Sequence, residues 1–327
     1  MEESSIRPQD LAEENLRLYR EDLSSFMKHQ SEFVAVNCPA CGSEKHVREF
    51  DKEGFFFDRC GDCGTLFINP RPAPALLDDY YSTSKSIKHW NDKMFPASET
   101  TRRSAIFAPR AAHIAELCKK YVPDAEVLFD VGAGFGTFCE EVKKTGLFRR
   151  VVAVEPAPGL AQTCRNKGLE VIEKPIEQVE VGSAGVITNF ELIEHLFDPG
   201  AFIRSCRNSL QMNGLLILTT PNCNGFDLSL LGKASDNIAG PNHLNYFTSE
   251  SLSVLLTRCG FSVIEMVTPG KLDAELVRNK IIAGAVSVHP FIKYMLVDRW
   301  ESCGVPLQDF LAANVLSSHL WIAARKI

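Results

Sequence analysis

Four cysteines stand in two pairs, Cys38-Pro-Ala-Cys41-Gly and Cys60-Gly-Asp-Cys63-Gly, with eighteen residues between them. Four thiolates at this spacing suit a closed tetrahedral zinc site with no position left for water, so the zinc expected here is structural. Gly42 and Gly64 follow the second cysteine of each pair, where a left-handed turn aims backbone N–H groups at the sulfurs. The stretch between them, Glu49-Phe-Asp-Lys-Glu-Gly-Phe-Phe-Phe, reads as a hairpin with an aromatic face. Together they describe a zinc ribbon of about 35 residues, too small to hold a core without its metal. Paired redox dithiols are the alternative, although one Cys-x-x-Cys would suffice for that chemistry.

A second set of residues suits a nucleoside-bearing cofactor. Residues 127–138 read Val-Leu-Phe-Asp-Val-Gly-Ala-Gly-Phe-Gly-Thr-Phe: a buried apolar run ending in Asp130, then alternating Gly132, Gly134 and Gly136. Such a run predicts the first strand of a parallel α/β sheet and a turn whose backbone a ligand can touch. The run Val151-Val-Ala-Val ends in Glu155, placed to accept two hydrogen bonds from a ribose diol. The dinucleotide fingerprint needs glycine where Thr137 stands, and no Gly-Lys-Ser/Thr follows, so a pyrophosphate cradle is absent. S-adenosylmethionine carries no phosphate and its sulfonium is a cation, which suits a glycine turn bordered by Asp130 and Glu155.

At these residues the chain resembles the class I S-adenosylmethionine-dependent methyltransferases. Gly185-Val-Ile-Thr-Asn-Phe-Glu-Leu-Ile-Glu-His-Leu-Phe-Asp-Pro looks like that family's fourth strand and turn, and Gly214-Leu-Leu-Ile-Leu-Thr-Thr-Pro-Asn like its fifth. The resemblance covers roughly residues 120–270 and the last strand. It implies a Rossmann-like seven-stranded sheet and a cofactor pocket lined by Asp130, Gly132, Gly134, Phe135, Glu155, Pro156, Asn189, Phe190 and Glu191. A Rossmann-like domain binding another nucleotide is the alternative.

Two histidines fall beyond the carboxyl ends of the expected strands, where ligands of open α/β sheets bind: His195 and His243. Methyl transfer needs positioning and a base for the nucleophile's proton, and neutral imidazole suits that task. His243 is the expected base, His195 the orienting residue, and Tyr81 (or Tyr80) closes the pocket. The order of ribbon, Asn69-Pro-Arg-Pro linker and core is similar to methyltransferases of nucleotide-linked sugars and surface-polysaccharide precursors. The sugar C-methyltransferases carry Tyr-x-Glu-His where this chain has Gly240-Pro-Asn-His243, so oxygen and carbon both stay open as the nucleophile. Glu191-Leu-Ile-Glu194-His195 also resembles the magnesium site of ubiquinone-pathway and small-RNA 2′-O-methyltransferases. That resemblance implies a Mg²⁺ at Glu191, Glu194 and His195, with His243 able to approach.

The elements that must position these groups follow from periodicity. Apolar residues at Leu11, Leu16, Tyr19, Leu23 and Phe26 predict an amphipathic helix within residues 1–35. The ribbon takes 36–70, a helical linker or lid 71–122, the core 123–268 plus 317–327, and a helical insertion 269–316 that covers the site or forms a homodimer contact. The polar amino terminus and the lack of a long apolar run predict a cytoplasmic protein with no membrane span. Net charge −6 argues against a broad nucleic-acid surface. A small-molecule acceptor, most simply a sugar nucleotide or glycan precursor, is therefore expected ahead of an RNA- or protein-modifying enzyme or a silent scaffold.

Overall fold

The computed structural model describes residues 3–179, 181–182 and 184–327; Met1 and Glu2 of the polar amino terminus, Glu180 and Ser183 lie outside the described residues. A strand apolar on both faces is stable only inside a covered parallel sheet. β1 (Val127–Val131) is such a strand, with all five residues buried. With it run β2 (Arg150–Val154), β3 (Glu170–Ile172), β4 (Ala184–Phe190), β5 (Leu210–Pro221), β6 (Phe261–Val267) and β7 (His319–Lys326). Their order across the sheet is β3, β2, β1, β4, β5, β7, β6, parallel except that β7 runs antiparallel to both neighbours. Strand order reverses between β1 and β4, so their carboxyl ends open a crevice where ligands of such sheets bind.

Helices cover both faces. α1 (Thr137–Lys144) and α2 (Pro158–Asn166) bury Phe138, Cys139, Val142 and Cys164 on one side, beside Ala111, Ile114 and Leu117 of the helix Ala108–Tyr121. On the other, α3 (Pro199–Ser209) and α4 (Ser249–Arg258) bury Phe202, Ile203, Leu252 and Leu255. Local chemistry sets their starts. Asp198 accepts from the Ala201 N–H at 2.8 Å, with Pro199 in the first turn of α3. Thr248 and Ser251 form a reciprocal capping box on α4.

The cysteine-bearing segment is built onto this core. Strands His46–Lys52, Phe55–Cys60 and Leu66–Ile68 form an antiparallel sheet, with Phe50 and Phe57 stacked at 4.9 Å. A fourth strand, Asn245–Tyr246, joins it from the loop after β5. Cys38, Ala40, Cys60 and Phe67 share one apolar core with Ile193 and Leu252. The helix Gln9–Phe26 buries Tyr19, Leu23 and Phe26 against Phe55, Phe57 and Tyr80. Helix Pro74–Thr83 follows, and then a helical run from Lys85 to Tyr121 interrupted by two wide π-type turns, Trp90–Met94 and Arg103–Phe107. Between β6 and β7 lie the helices Asp273–Ile282, Pro290–Lys293 and Trp300–Ala313. No described helix is long and apolar enough to cross a membrane.

Gly136 is a tight joint between the glycine turn and α2. It enters α1 at φ +70°, and a Cβ there would stand 2.5 Å from Leu169 Cδ1 and 2.9 Å from Cys164 Sγ. Gly134, at φ +55°, would place its Cβ in open space. Gly136→Ala is therefore expected to lose about 2–4 kcal/mol, backbone strain plus overpacking, while Gly134→Ala loses only the ~1–2 kcal/mol of strain. Denaturant unfolding of the two variants checks the difference.

Candidate functional site

The glycine turn is held by backbone pairing and two acids. Gly132 N–H still donates to Val154 O at 2.9 Å, extending the β1–β2 pairing into the turn. A Cβ on Gly132 would press Leu192 at 2.8 Å, whereas the open space at Gly134 forms a cradle. Glu155 is 5% exposed and accepts from the Gly134 and Ala157 N–H groups, each at 2.9 Å. Burial raises its pKa against those two donors. Asp130 accepts from Thr188 Oγ1 at 2.8 Å and Cys139 Sγ at 3.5 Å, and burial pushes it up to about 6. Asn189 donates to Val131 O at 3.0 Å, and its Oδ1 is buried without a partner among the described residues. An open cradle, buried carboxylates and an orphan acceptor fit a cationic nucleoside ligand. Pro156 is exposed beside Glu155.

Several residues that complete this region carry no motif. Phe135 stacks on Phe95 at 3.9 Å and 4°. Glu99 accepts from Thr137 Oγ1 at 2.9 Å and from Lys167 Nζ at 2.7 Å, tying the covering helix to the glycine turn. Arg110 lies over the Phe190 ring at 4.7 Å, and Trp321 stacks on the same ring at 5.8 Å. An aromatic inside a glycine turn signals an aromatic partner, but nothing in the sequence says which one.

Beyond β4 the chain turns at Glu191, a non-glycine residue at φ +51°. Its carboxylate accepts from Thr219 Oγ1 at 2.5 Å and lies 3.3 Å from His319 Nε2 and 3.6 Å from Arg110. Burial alone would raise Glu191, but His319 and Arg110 outweigh it and hold the carboxyl well below the usual range. Burial likewise opposes the charge on His319, yet Glu191 lifts it to about 9.

Glu191 is therefore committed to Thr219, His319 and Arg110 and is not in the converging group of Glu194 and His195, with which the Glu-x-x-Glu-His spacing places it. The third member of the cluster is His243. Glu194, His195 and His243 each offer one ligand atom, all within 4.8 Å of one another. His195 Nδ1–H donates to Asn242 O at 2.6 Å and His243 Nδ1–H to Asn237 O at 2.8 Å, which leaves both Nε2 atoms as lone-pair donors. Glu194 is 1% exposed; its Oε2 accepts from Thr220 Oγ1 at 2.9 Å, while Oε1 has no hydrogen-bond partner among the described residues and lies 3.9 Å from His195 Nε2. Burial and then the Glu191 charge push Glu194 up to about 8, so Oε1 calls for a proton or a cation. Burial and then His195 drive His243 down to about 3. An imidazole so weakly basic is a poor proton acceptor but keeps its lone pair for a metal. Tyr81 OH reaches Asn242 O and His195 Nδ1, both at 3.3 Å.

The Cys38, Cys41, Cys60 and Cys63 sulfurs also converge within 4.8 Å, with Cys38–Cys63 and Cys41–Cys60 at 3.5 Å. Zinc–sulfur bonds of about 2.3 Å imply a tetrahedral edge of about 3.8 Å, so this group could hold zinc with little adjustment. Gly42 and Gly64, at φ +79° and +76°, close each knuckle by donating to Cys38 O and Cys60 O.

A family profile described as "Methyltransferase domain" matches residues 101–266. Among curated proteins, the chain is 36% identical over 110 residues to a ubiquinone biosynthesis O-methyltransferase of Xanthomonas campestris pv. campestris, covering 31% of this chain and 45% of that one. It is 35% identical over 104 residues to the protein of the same name from Xanthomonas oryzae pv. oryzae, covering 29% and 43%. The chain thus spans less than half the length of these relatives. A solved structure of a SAM-dependent methyltransferase from Archaeoglobus fulgidus is similar at 16% identity and a TM-score of 0.48, covering 72% of this chain and all of that one.

Two outcomes follow from the geometry. Because Asp130 titrates near 6 in the fold and near 4 when unfolded, its contribution is most favourable below pH 4 and is lost as pH rises through 6. Asp130→Asn is thus expected to stabilise the chain by about 2–3 kcal/mol at about pH 7.5 and about half as much at about pH 5, read from melts at both values. Metal analysis of the purified chain is expected to find one zinc, lost in Cys60→Ser together with thermal stability.

Proposed function

We propose, for a chain that belongs to the methyltransferase-domain family and is an S-adenosylmethionine-dependent methyltransferase, that it methylates a hydroxyl of a small molecule with the help of a divalent cation at Glu194, His195 and His243. The observation that carries this reading is the orphan Glu194 Oε1 facing the His195 and His243 nitrogens. The names of the Xanthomonas relatives support oxygen as the nucleophile. Vicinal hydroxyls, as on a sugar, a nucleotide sugar or a glycan precursor, are the acceptor class that such a cation selects.

The cofactor is assigned to the crevice of Asp130, Gly132, Gly134, Glu155 and Asn189, with Phe135, Pro156, Phe190 and Glu191 around it. Gly134 leaves room for the ligand's approach, and Glu155, already fixed by two backbone donors, presents its carboxylate toward a ribose. Asp130 and Glu155 border the glycine turn, which favours a sulfonium over a phosphate there. Glu191, locked by Thr219, Arg110 and His319, shapes the passage between cofactor and cluster. His195 and His243 are aimed by the carbonyls of Asn242 and Asn237, and Tyr81 closes over His195. When bound, a hard cation lowers the pKa of an acceptor hydroxyl and holds neighbouring oxygens in place. The four-cysteine group is read as a structural zinc ribbon.

A second reading makes His243 the general base with no cation. One experiment separates the two: turnover of enzyme dialysed against a chelator that leaves the zinc in place, with Mg²⁺ or Mn²⁺ restored. Loss and recovery of activity are expected, with Glu194→Gln and His243→Ala each lowering turnover by about 10²-fold or more while cofactor affinity by calorimetry is kept. Activity indifferent to the chelator and to Glu194→Gln, yet lost in His243→Ala, would favour the base.

A further inference from the structure

We propose that the cavity between the Cys38–Cys41 knuckle and the first turn of α3 is an oxyanion site that takes a phosphate group, free or carried on a nucleoside diphosphate. The cavity has a volume of about 300 Å³, at the lower end for small-molecule sites, and lies among Cys38, Arg71, Asp198, Gly200, Arg204 and Arg258.

Arg71 is the observation that points to a ligand. It is 0% exposed, among the largest fully buried side chains of the protein. Its Nε donates to Ile68 O at 3.2 Å and its Nη1 to Phe197 O at 2.9 Å, but Nη2 is buried without a hydrogen-bond partner among the described residues. Carbonyl oxygens satisfy N–H groups without neutralising the charge, and a buried guanidinium is stable only when paired. Asp198, the carboxylate lining the cavity, commits Oδ1 to the Ala201 N–H and stands 3.9 Å from Arg204 with Oδ2. The Cys38 sulfur and the Asp198 carboxylate lie near enough to favour the charge of Arg71, but neither accepts a hydrogen bond from it, so Nη2 is left for another oxygen.

The remaining wall is equally suited to an anion. Arg204 and Arg258 are exposed at its edge, and Arg258 is fixed by a 2.6 Å bond from Nη1 to Ala40 O. The first turn of the eleven-residue helix α3, Pro199 and Gly200, also lines the cavity, with its Ala201 N–H already taken by Asp198. A phosphate group matches the fork of a guanidinium bidentately, which a chloride ion cannot. Because Arg71 grips the carbonyl of Phe197, two residues beyond His195, an occupant would brace the loop that carries the histidine cluster. The inference is independent of the acceptor, so its failure leaves the metal-assisted reading standing.

Calorimetric titration of the zinc-loaded full chain with inorganic phosphate, and separately with uridine diphosphate, tests it. Saturable binding is expected in at least one arm, weakened roughly tenfold by Arg204→Ala at unchanged melting temperature, and also by Arg258→Ala and by Arg71→Lys, which keeps the charge but loses the fork. Equal occupancy by phosphate and the diphosphate identifies a free oxyanion, and much tighter diphosphate binding a nucleotide-borne one. No saturable binding of either at tens of millimolar, or affinities unmoved in the two edge variants, would overturn the site.

Discussion

The candidate site depends on Asn245. This fully buried residue donates its side-chain amide to Leu196 O at 2.8 Å, with Ile193 O and Glu194 O at 3.3 and 3.4 Å. Next to it the Leu244 N–H donates to Glu194 O at 2.8 Å, and its own backbone pairs with Phe67 of the cysteine-bearing sheet. One short strand thus stitches the loop after β4, the loop after β5 and the knuckles together. Holding two loops to the tolerance a metal or acceptor site requires costs conformational entropy of about 1–2 kcal/mol per residue, and these buried bonds are what offset it.

The remaining supports act on the same loop. Tyr19 donates to Gly240 O at 2.7 Å, and Phe55 packs so closely on Gly240 that no side chain could stand there. Tyr246 OH donates to Asn237 O, the same carbonyl that aims His243. The amino-terminal helix and the cysteine-bearing sheet therefore stand behind the histidines. Loss of the four-sulfur geometry would loosen His243 by a path of direct contacts.

Charge along the crevice is divided among unlike environments. Glu191 is kept ionised by His319 and Arg110, while Asp130 and Glu194 are pushed toward their neutral forms by burial. Carboxylates with environments this different, placed along one crevice, give separate roles to chemically similar side chains.

Much of this was legible in the chain. Glycines at 132, 134 and 136, the apolar runs of β1 and β2 and the acids closing them are local patterns, and local patterns follow from backbone sterics and strand periodicity. The Cys-x-x-Cys pairs predict a four-sulfur group because ligand spacing is itself local. His195 and His243 could be placed only at the same end of the sheet. That they meet, with His243 standing where the Glu-x-x-Glu-His spacing puts Glu191, was decided by pairing between residues some fifty positions apart. The same holds for the stack of Phe95 on Phe135 and for Arg71 sealed beside α3. Such contacts are chosen by the shape of the packed core, in which many distant side chains take part at once, and no short window of sequence contains that information.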